Sequence, residues 1–174
     1  GGNKNKISCE IYDIKNNKWI IGKSMKYPRE HMCVVAKDKK IYLIGGSYDY
    51  LATNKVEIYD TEKDEYIEGK SMNINRSGAS ACLIDNKIYV FGGTDNKNDL
   101  FCSEYFDFEK NKWLKGPDIK DKQTRCYHSC EVIGDNIYLI NGYNGTCNSK
   151  ECLMNYDSEK DKKKEELKEY YEKN

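Results

Sequence analysis

The side chains best equipped for chemistry in this sequence are eight cysteines, Cys9, Cys33, Cys82, Cys102, Cys126, Cys130, Cys147 and Cys152, and two histidines, His31 and His128. Thiols and imidazoles at close spacing hold zinc or copper, and paired cysteines build disulfide frameworks. Neither pattern stands out. No CxxC pair occurs, the nearest neighbours being Cys126/Cys130 and Cys147/Cys152. No apolar run has signal-peptide or membrane-span length, so the expectation is free thiols in a cytoplasmic protein with no metal and no cofactor. Cys82, flanked by apolar residues on an expected strand, reads as a small buried hydrophobe. No GxSxG motif is present, and no helix start or Lys-Ser/Thr follows a glycine pair to cradle phosphate.

Charge narrows the partners. The 29 basic and 29 acidic residues cancel, which removes the positive field that nucleic acid or an acidic membrane surface selects for. Neither nucleic acid nor a membrane is therefore expected as a partner.

What positions these residues is a repeat. Glycine pairs at Gly1-Gly2, Gly45-Gly46 and Gly92-Gly93, followed by Asn141-Gly142, recur at steps of 44, 47 and 49 residues. Asp13, Asp60, Asp107 and Asp157 keep the same beat, each closing an aromatic or apolar stretch. Six residues after the first three aspartates stand Trp19, Tyr66 and Trp113, then Gly22, Gly69 and Gly116, then Met25, Met72 and Ile119. Arg29, Arg76 and Arg125 each lie 12 residues before an isoleucine, Ile41, Ile88 or Ile137. Within a period, Ala79 to Ile84, Ile88 to Phe91, Val56 to Tyr59 and Glu65 to Ile67 are short runs of β-branched and aromatic residues bounded by Gly, Asn and Asp, and so predict strands. Asp85-Asn86-Lys87 and Thr61 to Asp64 supply the turns. Four strands per period make a four-stranded antiparallel sheet that buries neither face alone and must stack on its neighbours.

The glycine pairs are expected to provide backbone angles closed to other residues and bare backbone against which an aromatic packs. The series Tyr12/Tyr59/Phe106 and Trp19/Tyr66/Trp113 suits the seams between sheets. Glu10, Glu57 and Glu104 share one repeat position, as structural acids do.

These markers, with their spacing, resemble the kelch repeat: an Arg-led strand, an apolar strand ending in Gly-Gly, a Val-Glu-x-Tyr-Asp strand and an aromatic six residues on. The resemblance covers about residues 1–157. It implies an all-β fold, a β-propeller fragment of four-stranded blades: a half blade over 1–25, blades over 29–72 and 76–119, and an incomplete blade over 125–157, followed by a charged tail or short helix over 158–174. Such an arc cannot close a ring alone. The expectation is a fragment, a truncated product, or an arc completed by further blades or by self-association.

The resemblance also implies a function, protein binding through loops that enter the first strand and leave the second. It places those loops at Asn3, Ser47, Thr94 and Tyr143 after the glycine pairs, and at Glu30, His31, Ser77, Gly78, Cys126 and Tyr127 after the arginines. Tyr48, Asp49, Tyr50, Asp95, Asn96 and Asn144 extend the rim. The role implied is that of a non-catalytic substrate receptor, such as a ubiquitin-ligase adaptor, or of a scaffold. The alternative is part of a kelch-type enzyme, a sugar oxidase, epimerase or metal-assisted lyase. Against a copper site, His31 aligns with Gly78 and Tyr127 while His128 aligns with Met32 and Ala79, so the two imidazoles have opposite strand parity. His31 is expected as an exposed loop residue and His128 as a strand residue with a satisfied hydrogen bond.

Overall fold

The computed structural model describes residues 7–143, apart from the side chain of Asp121, and the backbone of Leu153–Asp157. The charged tail expected over 158–174 lies outside these residues. The strands are β1 Glu10–Asp13, β2 Lys18–Ile21, β3 Cys33–Lys37, β4 Lys40–Ile44, β5 Ser47–Tyr48, β6 Leu51–Ala52, β7 Val56–Asp60, β8 Glu65–Glu68, β9 Ser80–Ile84, β10 Lys87–Phe91, β11 Ser103–Asp107, β12 Lys112–Lys115, β13 Ser129–Ile133, β14 Asn136–Ile140 and β15 Leu153–Asp157. A single turn of 3-10 helix, Lys120–Lys122, precedes β13. The sheets are antiparallel: β1-β2, β3-β4-β7-β8, β9-β10-β11-β12 and β13-β14-β15, with β5-β6 as a separate small hairpin. Below they are numbered first to fourth in chain order.

Local chemistry explains the turns. Asp38-Lys39 and Asp85-Asn86 both have positive φ, the two-residue reversal that matches strand twist. At the outer turns Asp60 Oδ1 accepts from the Glu62 and Lys63 amides, and Asp107 Oδ1 accepts from those of Glu109 and Lys110. The amides of Lys63 and Lys110 hold these carboxyls below their ordinary range. That is the reason for the recurring aspartate.

Two seams form the main core. Between the second and third sheets lie Cys33, Val35, Ile44, Val56 and Met72 against Ile88, Val90, Phe106 and Trp113. Between the third and fourth, Cys82, Ile84, Tyr89 and Phe91 meet Cys130, Ile137 and Leu139. Strand alternation puts Ile88 and Val90 into one seam and Tyr89 and Phe91 into the other. The aromatic series therefore fills seams only where a neighbour exists. Trp113 is 8% exposed, whereas Trp19 and Tyr12, at the same repeat positions in the first sheet, are 69% and 45% exposed. Among the described residues no sheet covers that face.

The glycine pair has a different partner from the aromatic expected. A Cβ on Gly45 would lie 2.5 Å from the Arg76 carbonyl oxygen, and one on Gly92 would lie 2.3 Å from that of Arg125. The same two oxygens accept from Gly46 N at 2.8 Å and Gly93 N at 2.6 Å. The pair is thus a junction that receives the leading arginine of the next sheet. Asn141, at the same position in the fourth sheet, keeps the left-handed φ of 60°. Among the described residues no following arginine crowds its Cβ, and asparagine tolerates that conformation.

The arginines and glutamates pair. Arg29 Nη2 donates to Glu57 Oε2 at 3.0 Å, and Arg76 Nε donates to Glu104 Oε1 at 3.1 Å, with all four residues buried. Each guanidinium also donates to two carbonyls of its own sheet, Gly45 and Lys55 for Arg29, Gly92 and Cys102 for Arg76. Each carboxylate also accepts from the connection arriving from the preceding sheet, Lys26 and Tyr27 for Glu57, Asn73 and Ile74 for Glu104.

Candidate functional site

The loops that enter the first strand and leave the second of each sheet are tied to one another by backbone pairs, Glu30 with Ser47, Ser77 with Thr94 and Cys126 with Tyr143. Neighbouring sheets are linked at the same end. Gly78 N donates to His31 O at 2.9 Å and Tyr127 N donates to Gly78 O at 2.7 Å. His31 and Tyr127 also meet edge to face at 5.3 Å, and a Cβ on Gly78 would press on the Tyr127 ring at 3.0 Å. Glycine at 78 is what lets side chains of two other sheets touch across it.

Of the expected contact residues, His31, Tyr48, Asp49, Tyr127 and Tyr143 are exposed, and Glu30, Thr94 and Asp95 are half-buried. Ser47, Ser77 and Cys126 are buried, which corrects their assignment as contacts. Their backbones form the inter-loop bridges and turn the side chains inward, with Ser77 Oγ at 3.1 Å from Ser47 Oγ. Asn3 and Asn144 lie outside the described residues.

The described residues expected to extend the rim lie on two loops, and Leu51, which the repeat does not single out, joins them. The β5-β6 hairpin carries Tyr50 and Leu51, 92% and 68% exposed, at its tip. Asp49 and Tyr50 turn the hairpin with φ of 46° and 65°, and a bulky aromatic in the left-handed region is an outlier of the kind that clusters at functional loops. In the next sheet the loop from Thr94 to Asp99 is held by Asp95 Oδ1, which accepts from Lys97 and Asn98. Asn96 Oδ1 accepts from Ala52 N at 2.8 Å, so adjacent rim loops brace each other.

Stacked four-stranded sheets with this junction chemistry are matched by the family model described as FKB95, Kelch-repeats domain, over residues 3–173. The chain belongs to the kelch-repeat family. No curated protein matches it. The sheets are kelch blades, and kelch-repeat domains are generally protein-interaction modules.

Within the kelch arc the two histidines have unlike settings. His31 is exposed on the rim. His128 is 6% exposed, and neither ring nitrogen has a hydrogen-bond partner among the described residues, contrary to the expected satisfied imidazole. Its ring reaches back over Gly92, where a glycine Cβ would meet Cε1 at 3.0 Å. Among the described residues no group of three His, Cys, Asp or Glu converges to hold a metal.

Burial, aided by the nearby Arg125 charge, lowers the His128 pKa from 6.5 to about 4. Above pH 6.5 the imidazole is neutral in both folded and unfolded chains. As pH falls from there toward 4, the unfolded chain takes up a proton that the folded chain refuses, and about 3 kcal/mol of stability is lost. Denaturant midpoints compared at pH 7 and pH 4.5 should show this loss. In His128→Ala, which installs the residue found at Ala79, the drop across that window should shrink by most of that amount.

Proposed function

We propose that this kelch arc binds a protein partner through the rim formed by Glu30, His31, Tyr48 to Leu51, Thr94 to Asp99, Tyr127 and Tyr143, as a substrate receptor or scaffold. The observation that carries the reading is the concentration of exposed tyrosines on braced loops at one end of the blades. Tyrosine gives a large contact area at low conformational cost and is enriched at interfaces. Asp99 and Glu30 lie near the Tyr127 ring, and Asp49 and Asp95 stand in the same rim loops, whose one lysine is Lys97. That composition favours a partner segment presenting lysine or arginine beside an apolar anchor, since cations are drawn to both carboxylates and aromatic faces.

The test uses paired variants. Replacing Tyr48, Tyr50 and Tyr127 together by alanine removes exposed side chains and should leave the melting temperature within a few degrees of the parent. A partner recovered by crosslinking to the parent chain should be lost by this variant. It should be retained by Glu62→Ala/Glu109→Ala, which alters the turns at the opposite end of the blades. Equal recovery by all three proteins, or equal loss from both variants, would overturn the assignment to the rim. Recovery that falls steeply between low and high salt supports the charged component.

A further inference from the structure

Sulfur in the first strands is not required by the repeat. The position of Cys82 is Val35 in the preceding blade and Glu131 in the following one, and that of Cys130 is Val34 and Ala81 in the two blades before it. Yet these two departures, at different repeat positions, come together. Cys82 and Cys130 sit in one core cluster, facing each other across the seam between the third and fourth blades. Both side chains line a cavity of about 270 Å³ bounded by the first strands of three successive blades, together with Val34, Leu83 and Glu131. The cavity gives a small solute a route to two cysteines that are otherwise nearly buried, at 8% and 9% exposure.

The surroundings distinguish the two thiols. The hydroxyl of Ser80, a residue 7% exposed, lies beside Cys130. The neighbouring Cys82, with help from Ser80, pulls the Cys130 thiol below its ordinary range, while Cys130 and burial push Cys82 above it. The Ser80 hydroxyl stands beside Cys130 rather than Cys82, which suits Cys130 to the attack and Cys82 to the resolving role. Cys33, also buried nearby, is pushed up to about 12 by burial, which keeps it protonated.

We infer that Cys82 and Cys130 are a redox pair that hydroperoxides convert into a reversible disulfide joining two kelch blades. Cys130 thiolate attacks the peroxide O–O bond and leaves as sulfenic acid, with one equivalent of water or alcohol released. The Cys82 thiol then attacks that sulfur, forming the S–S bond and releasing a second water. Two electrons pass from the two thiols to one hydroperoxide, and an external dithiol returns them.

The experiment treats the reduced full chain with hydrogen peroxide, blocks remaining thiols under denaturing conditions, and maps digested peptides by mass spectrometry without reductant. The expected result is an intramolecular peptide pair linking Cys82 to Cys130, two fewer free thiols, a melting temperature higher by roughly 5–10 °C, and full reversal by dithiothreitol. Cys82→Val and Cys130→Ala install residues that the repeat uses at those positions, so each should fold and lose the linkage. In Cys82→Val, where Cys130 keeps only Ser80 beside it, Cys130 should react with peroxide more slowly than in the parent, and its sulfenic acid, with no resolving thiol, should become trappable by dimedone. A Cys33–Cys130 link, links only between chains, or Cys130 driven to sulfinic acid with Cys82 still free would each overturn the assignment. The wild-type peptide map decides the matter even if a variant does not fold.

Discussion

Arg76→Ala is expected to destabilise the kelch arc by about 3–5 kcal/mol, the cost of removing one partner from a buried ion pair. The loss is large because the guanidinium serves four acceptors at once, Glu104, the Gly92 carbonyl, the Cys102 carbonyl and the Cys102 Sγ. Without it Glu104 stays buried with only the Asn73 and Ile74 amides, and two carbonyls lose their donor. Lysine should rescue little, since one ammonium on a flexible stem cannot reproduce a planar fork. The Arg76→Ala/Glu104→Gln double variant should lose less than the sum of the single losses, because the second change neutralises the stranded charge. Glu10 provides an internal control. It shares the repeat position of Glu57 and Glu104 but is exposed, so Glu10→Ala should change stability by no more than about 0.5 kcal/mol. Urea midpoints measured on Arg76→Ala, Arg76→Lys, Glu104→Gln, the double variant and Glu10→Ala test the set. A small loss for Arg76→Ala would show that the pair merely fills space.

Sequence spacing sufficed for the blade because each marker answers a need of the blade itself. Asp60 and Asp107 close turns, Asp85-Asn86 reverse a hairpin, and alternation sorts Ile88 from Tyr89. Those needs act over a few residues and leave a local trace. The glycine pair was legible as a special backbone position, but its partner was not. The Arg76 carbonyl that crowds Gly45 lies in the next period, and only packing shows which group arrives there. The link between Arg76 and Glu104 was hidden for the same reason, although each residue recurs visibly by itself. In the fourth period the trace also fades, since Met154 stands where Glu57 and Glu104 stand and Arg125 donates instead to Gln123 and the Asn141 carbonyl.

The rim was legible in outline and wrong in part for a physical reason. Spacing locates a loop but not the direction of its side chains, and the bridges that tie Glu30 to Ser47 and Cys126 to Tyr143 set that direction. Ser47, Ser77 and Cys126 turn inward, while His31 and Tyr127, with φ of 55° each, turn out and meet over Gly78. His128 shows the opposite limit. It aligns with Met32 and Ala79, positions that need no hydrogen-bond partner, and although a strand histidine would ordinarily find one, burial leaves both ring nitrogens without a partner among the described residues.

Trp113→Ala should cost about 3–5 kcal/mol, as large-to-small changes at packed aromatic sites do. The indole is wedged between the second and third blades against Phe106, with ring centroids 5.4 Å apart, and its Nε1 donates to the Lys70 carbonyl at 2.8 Å. Alanine would open a cavity at the seam and remove a bond that crosses it, so the two blades should separate more readily. Domain stabilities run at about 5–15 kcal/mol, so this single change consumes a large share. Trp19 is the same residue at the same repeat position, 69% exposed on a face that no described sheet covers. If the chain stands alone in solution, Trp19→Ala should lie within about 0.5 kcal/mol of the parent. If it instead costs several kcal/mol, with a cost that grows with protein concentration, then a second copy occupies the face of Tyr12, Trp19 and Ile21. Denaturation at two concentrations, with sedimentation to read the mass, separates a free arc from one that neighbouring copies extend.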